Sequence, residues 1–273
     1  MKEFVLKNLY SFLGDQKAQL RIITFHDILS EDYQKFYDLI FYLKTKWNII
    51  SPNEFKKIIN REKSKIDEKN VLISFDDAYK SQKIVTEKYL DPLNIKALFF
   101  IVSDFVKLNS KDEAHEFIRK NFFKFKNKNL KLNSQTKNMN IEDIKSLIQN
   151  GHTIGGHTKT HSQLSKIDDE KNLYQEIVAS KDYLENNLEN YKIEDFAYTF
   201  GDFESINKKS LKLILKNFNY LYTGLRGNNY KINSKIIRRD AINLKENFKV
   251  ISAYINGYTD FMYKNKLEEL EKW

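Results

Sequence analysis

The sequence predicts a single-domain α/β fold whose parallel sheet closes, or nearly closes, into a barrel. Three observations carry that expectation. Short β-branched or aromatic runs recur along the chain, amphipathic helical patterns lie between them, and seven such runs fit within 273 residues. Strands alternating with helices favour a parallel sheet, because each return to a parallel neighbour needs a helix-length crossover.

The first three runs, "LRIITF" (20–25), "VLISF" (71–75) and "ALFFIV" (97–102), are continuously apolar, as strands buried on both faces are. Weaker candidates follow at "HTIGG" (152–156), "DFAYTF" (195–200), "YLYTG" (220–224) and "KIIRR" (235–239). Between them, "SEDYQKFYDLIFYLKT" (30–45) and "IEDIKSLIQN" (141–150) repeat apolar residues at helical spacing, and Gly151 closes the second as a C-cap. "DEKNLYQEIVASKDYLENNL" (169–188) reads as one long helix. No internal repeat or Pro/Gly/Ser linker divides the chain, so residues 1–273 read as one domain. An insertion at about 105–140 stands apart. Its basic, aromatic part, "FIRKNFFKFKNKNLKLNSQTKNMN" (117–140), reads as a solvated excursion with a few aromatics tucked against the barrel. The functional alternative is a lid, or a contact for an anionic substrate.

Apolar residues make up 41% of the chain, enough for a sizeable core. Cysteine is absent, which excludes disulfides, thiolate metal sites and cysteine nucleophiles. Any metal must therefore be held by His, Asp or Glu. The N-terminus, "MKEFVLKNLYSFLGDQKAQLRIITF", is interrupted by Lys7, Asp15, Gln16 and Lys17 and lacks the unbroken apolar core of a signal peptide. No run approaches the roughly 18 uncharged apolar residues of a membrane span. A soluble, cytoplasmic protein is expected. The net charge of +9 follows from a general abundance of lysine. No helix-turn-helix, zinc-finger or RNA-binding signature accompanies it, so no nucleic-acid partner is expected.

In α/β barrels, chemistry gathers at the C-terminal ends of the strands. The first strand ends in "TFHDI", with His26 and Asp27, and the second in "ISFDDAYKS", with Asp76 and Asp77. The fourth runs into "GGHTKTH", with His157 and His161, and the fifth ends in "AYTFGDF". Neighbouring side chains on an extended strand point to opposite faces, so Asp76 and Asp77 should serve different roles. One can bind a cation, and the other can take a proton from water held on it. Two neutral imidazoles and one carboxylate make a three-ligand metal site that leaves room for water and substrate. Alone, the "DD" pair would read as a helix cap. Beside a second strand end carrying HxxxH, it reads as chemistry.

These stretches resemble one family. "SFDDAYKS" resembles the first motif of the polysaccharide deacetylases, the NodB-like or family 4 carbohydrate esterases, usually Thr-Phe-Asp-Asp-Gly. "GHTIGGHTKTHSQLS" resembles their second, His-Ser/Thr-x-x-His with a Gly-His-x-Ile-Gly lead-in. "FAYTFGDF" is similar to the third in its Phe-Ala-Tyr-Pro-x-Gly variant. The resemblance spans about residues 20–260. It implies a distorted (β/α)7-type barrel and hydrolysis of an N-acetyl group from an amino sugar. Carried over by position, it implies that Asp77, His157 and His161 hold a divalent metal and that Asp76 is the general base. Zinc is the expected metal, with cobalt, nickel or iron also compatible with His2Asp. Thr158, between the ligands, would brace their loop through its hydroxyl.

The chain also departs from the family pattern. Thr199 stands where the third motif has proline, and the backbone amide of Phe200 is the expected oxyanion donor there. Many members have an arginine near Ala197. Here an arginine that steadies the base must come from "IIRRD" (236–240), Arg239 in preference to Arg238. Most members place a catalytic histidine in a late Leu-x-His motif, yet no histidine follows His161. "IITFHDI" resembles the strand end of a permuted branch whose acid histidine arises near the N-terminus, which makes His26 the expected general acid. His115 reads as a surface residue and His152 as structural. The expected partner is an N-acylated amino sugar in a glycan or a glycan precursor, with the lysines of 124–131 meeting phosphates if that precursor is nucleotide- or lipid-linked. The alternatives are a non-catalytic carbohydrate-binding relative, or a same-scaffold enzyme acting on another C–N bond such as a formamide, carboxamide or ring amide.

Overall fold

The computed structural model describes residues 18–60, 68–123, 132–189, 191–230 and 236–273. Its strands are β1 (Gln19–Phe25), β2 (Asn48–Ile49), β3 (Lys69–Asp77), β4 (Leu98–Ile101), β5 (Thr153–Gly156), β6 (Asp195–Ala197), β7 (Tyr220–Tyr222), β8 (Ile236–Ile237) and β9 (Asp240–Ala241). All their ladders are parallel, in the order β8-β7-β6-β5-β4-β3-β1-β9. The two ends of that order belong to one short segment. Ile236 and Ile237 pair with β7, and Asp240 and Ala241 pair with β1, so Arg238 and Arg239 span the seam of a curled, distorted barrel. β2 lies beside the first half of β3, below the point where β4 takes over.

Each of the seven expected runs contributes a strand. "DFAYTF" is paired only as far as Ala197, because Phe200 (φ 63°) and Gly201 (φ 65°) turn the chain out of extended conformation. Gly151 adopts φ 84° and its amide closes the helix Ile141–Gln149 on the Ile148 carbonyl at 2.9 Å. The long helix expected over 169–188 contains a π turn, Gln175–Ala179, between α segments Glu170–Tyr174 and Ser180–Asn187. Residues 1–17, which carry most of the signal-peptide reading, and the lysines of 124–131 lie outside the described residues. Among the described residues, no helix is long and apolar enough to cross a membrane.

Strand alternation divides the core into two. Leu20, Ile22, Leu72, Leu98, Tyr222 and Ile237 fill the barrel, whereas Ile23, Phe25, Ile73, Phe75 and Phe99 face the surrounding helices. Burying each large apolar side chain contributes roughly 1.5–3 kcal/mol. The helix Pro52–Ile59, opened by a capping box between Ser51 and Glu54, sends Phe55 and Ile58 into the barrel's N-terminal end. Lys56 seals the same end at 2.8 Å from Asp195, which also accepts the Tyr222 hydroxyl at 2.7 Å. Outside the barrel, buried Arg21 grips Asp240 through Nε (2.9 Å) and Nη2 (2.8 Å), and Asp260 through Nη1 (2.6 Å). That network ties the closing strand and the C-terminal turn to β1. With the lower barrel filled by apolar groups, the polar inward side chains Thr24, Asp76 and Arg239 collect at the C-terminal mouth.

Gly155 on β5 leaves no space for a side chain. An added Cβ would lie 2.7 Å from the Phe100 ring and 2.9 Å from the Asp195 carbonyl oxygen. Gly155→Ala is expected to cost about 2 kcal/mol or more through overpacking, read as a lower urea midpoint. An unchanged midpoint would contradict this packing.

Candidate metal centre

The end of β3 separates two adjacent carboxylates. Asp76 points into the barrel and meets Arg239 in a bidentate pair, Nη1 to Oδ1 at 2.6 Å and Nη2 to Oδ2 at 2.8 Å. Arg239 is itself fixed by the Thr223 carbonyl on Nε at 2.9 Å, and its guanidinium lies over the Phe100 ring. Burial pushes the Asp76 carboxyl up, but the Arg239 charge and, secondarily, His157 outweigh it and hold Asp76 well below the usual carboxylate range. Asp77 and Ala78 then take left-handed backbone, φ 82° and 80°, which turns the second carboxylate toward β5. Neither aspartate caps the next helix, whose N-cap position is Tyr79.

His157 immediately follows β5, and His161 stands four residues on. Their Nε2 atoms lie 3.5 Å and 3.4 Å from Asp77 Oδ1. The opposite nitrogens are occupied: Nδ1 of His157 lies 2.7 Å from the Ala197 carbonyl oxygen and Nδ1 of His161 lies 3.0 Å from that of Asn121. A carbonyl only accepts, so each Nδ1 carries a proton, and in the neutral ring each Nε2 presents a lone pair. At His157 burial favours that neutral ring, but the close contact with Asp77 and the Asp76 and Asp77 charges outweigh it and raise the group. Asp77 Oδ1 is buried and has no hydrogen-bond partner. Three electron-rich atoms thus face one another within 4.8 Å, an arrangement that repels itself unless a cation lies between them. The donor set, with carbonyls holding both imidazoles, is that of a divalent-metal site. Burial pulls His161 down to about 4, against the opposing pull of Asp77, which leaves it neutral and able to ligate at neutral pH.

The surrounding loops are strained and braced. Among the described residues, five of the seven non-glycine positions with positive φ are Asp77, Ala78, Thr158, His161 and Phe200, all at this mouth. Such backbone costs roughly 1–2 kcal/mol per residue and persists only where neighbours enforce it. The Thr158 hydroxyl accepts the His161 amide at 3.0 Å, the brace expected of it. Thr199 donates its hydroxyl to the Ser162 carbonyl at 2.6 Å, so the residue replacing proline ties the β6 loop to the metal loop. The His161 ring sits between Phe122 and Phe200, with centroids 4.7 Å and 4.8 Å away.

The remaining candidates fall into place around this centre. His26 is exposed at the end of β1, near enough for its charge to act on Asp76, Asp77 and His161. It lines an open cleft of about 210 Å³ with Asp27, Asn243 and Lys245. Of the two arginines, only Arg239 reaches Asp76, since Arg238 engages the Asn228 carbonyl and Glu271. His152 is structural, its ring joining Asp91 at 2.9 Å and the Ala97 amide at 3.1 Å. His115 is not the surface residue expected. It is half-buried, bonded at 2.9 Å to the Thr136 carbonyl, because the insertion folds back over it. The insertion is correspondingly more than a solvated excursion where it is described. Its Asn121 and Phe122 contact His161, and Met139 donates its amide to the Ala78 carbonyl at 2.8 Å. Two supporting groups carry no sequence signal: the Asn121 carbonyl, which belongs to the backbone, and Glu176, which looks like any polar helix residue yet bonds the loop between the histidines.

Residues 63–222 match the sequence model of the family described as polysaccharide deacetylase. Among solved structures, IcaB from Ammonifex degensii is 17% identical with a TM-score of 0.64, over 90% of this chain and 97% of that one. The Streptococcus pyogenes deacetylase PplD, in complex with acetate, is 17% identical with a TM-score of 0.63, over 88% of this chain and 99% of that one. The de-N-acetylase from Aggregatibacter actinomycetemcomitans is 14% identical with a TM-score of 0.64, over 86% of this chain and 99% of that one. At these identities the likeness is one of fold. No curated protein sequence matches the chain.

If the three facing acceptors form a metal site, a divalent cation should stabilise the folded chain. Zinc at 100 times its Kd is expected to add about 2.7 kcal/mol, seen as a rise in melting temperature that Asp77→Ala or His157→Ala abolishes. An equal rise in both variants would place the metal elsewhere.

Proposed function

The chain belongs to the polysaccharide deacetylase family, and on that premise we propose that it is a metal-dependent hydrolase removing an N-acyl group, acetyl in the first instance, from an amino sugar of a glycan or glycan precursor. The observation that carries this reading is the meeting, at one barrel mouth, of the Asp77–His157–His161 acceptors with an Asp76 held by Arg239. The relative PplD was solved with acetate, the acid that such a reaction releases.

Asp77, His157 and His161 would hold the cation. When bound there, a divalent metal supplies Lewis acidity, polarising an amide carbonyl and making water a stronger acid. The chain's own groups handle the protons. The pairing with Arg239 keeps Asp76 ionised at any working pH and aims it, at some loss of basicity, so it can accept the proton of the attacking water. As the water oxygen bonds to the acyl carbon, negative charge grows on the carbonyl oxygen. The Phe200 amide is proposed to donate to it, an interaction worth about 3–4 kcal/mol at comparable sites. The C–N bond then breaks, and the nitrogen takes a proton from His26. Without that proton an amide nitrogen is a very poor leaving group, and His26, exposed at the rim, is open to substrate.

Acetate release from N-acetylglucosamine oligomers tests the assignment. Asp76→Asn and His26→Ala are each expected to lose about 100-fold or more in turnover while retaining metal. Full activity in His26→Ala would remove it as the acid. Metal binding with no acid released from any N-acyl sugar would favour a carbohydrate-binding protein instead.

A further inference from the structure

We infer that Glu176 is the positioning residue of this metal centre, setting the separation of His157 and His161 by clamping the loop between them. The inference rests on the metal reading above. Residues 158–160 form that loop, and Glu176 bonds it three times. Oε2 accepts the amides of Lys159 at 3.1 Å and Thr160 at 2.9 Å, while Oε1 accepts the Thr160 hydroxyl at 2.7 Å.

The clamp comes from an irregularity in the helix. Across the π turn Gln175–Ala179, three successive residues, Glu176, Ile177 and Val178, are buried. Two of them pack into the core and the third delivers its carboxylate to the loop. Single π turns inside α-helices often mark functional positions for this reason. A buried carboxylate is costly unless hydrogen-bonded, and here the loop supplies the donors.

The loop is gripped from its other side as well. The Thr158 and Lys159 carbonyls accept the amides of Ser103 and Asp104 at 3.2 Å and 2.9 Å. Those bonds anchor the loop to the end of β4, and Glu176 holds its amides. Thr158 and His161 both carry left-handed backbone at φ 64°. With Glu176 removed, that strain can relax and carry His161 Nε2 away from Asp77 Oδ1. The aromatic walls around His161 pack against its ring, and Glu176 holds the loop backbone beside it. Glu176 therefore acts on the metal through His161, without touching substrate.

Two conservative variants separate reach from charge. Glu176→Asp keeps the charge but is one methylene too short. Glu176→Gln keeps the length: its carbonyl oxygen can accept both amides, and its amide group can donate to the Thr160 hydroxyl. Zinc affinity would be measured by competition with a chromophoric chelator, geometry by the visible spectrum of the cobalt(II) form, and folding by circular dichroism. Glu176→Asp is expected to weaken zinc binding by about 10- to 100-fold and to change the cobalt bands, whereas Glu176→Gln stays near wild type in both. A folded Glu176→Asp with wild-type affinity and spectrum overturns the inference. So does a Glu176→Gln as impaired as Glu176→Asp, since reach alone would then not account for the clamp. Wild-type protein that binds neither zinc nor cobalt overturns the metal reading itself, and this inference with it.

Discussion

The buried pair between Arg239 and Asp76 is the interaction on which the rest of the mouth depends. Arg239 lies in the segment that joins the two ends of the sheet, and Asp76 lies on β3, two strands from the β9 end. Their bidentate contact therefore crosses the seam and the barrel interior at once. Removing either partner would strand a buried charge at a cost of about 3–5 kcal/mol. The same contact commits the first carboxylate of the pair to the interior. The second can serve a different purpose only by leaving the strand direction, which is what the left-handed backbone at Asp77 and Ala78 achieves. Closure of the barrel and division of labour between two adjacent aspartates are thus one structural event.

Around Asp77 the fold accumulates conformations that would be unfavourable in isolation. Left-handed residues, an acceptor without a donor and three lone pairs facing one another all oppose folding. They are held by bonds arriving from elements far apart in the chain: carbonyls of Ala197 and Asn121 on the imidazoles, Thr199 on the Ser162 carbonyl, and Glu176 on the loop. A cation held there would turn the electrostatic part of that opposition into attraction. On the proposed reading, the stability of the mouth and its affinity for metal would be coupled quantities, as expected of a site assembled from separate strand ends.

Much of this was legible in the sequence. The continuous runs ending in Phe25, Phe75 and Val102 announced buried parallel strands, and the polar residues following them announced where chemistry would sit. Spacing brought out Asp76, Asp77, His157 and His161, because strand ends of one barrel share one face. Arg239 could be nominated only by elimination between two neighbours. What separates them is the barrel seam, where Arg239 turns inward and Arg238 outward, and no local pattern encodes a seam. His115 was misplaced for a related reason: a charged helical stretch looks exposed until a distant return segment covers it. The Asn121 carbonyl was invisible because backbone groups leave no residue-type signature, and Glu176 because a π turn is not visible in helical periodicity.

On the proposed reading, Asp77, His157 and His161 hold a divalent cation that the barrel mouth uses to hydrolyse an N-acyl amino sugar. The most direct test is acetate release by one preparation before chelation, after exhaustive metal removal, and after return of one equivalent of zinc or cobalt. Release is expected in the first state, none in the second and recovery in the third. Unchanged release from metal-free protein would contradict that reading.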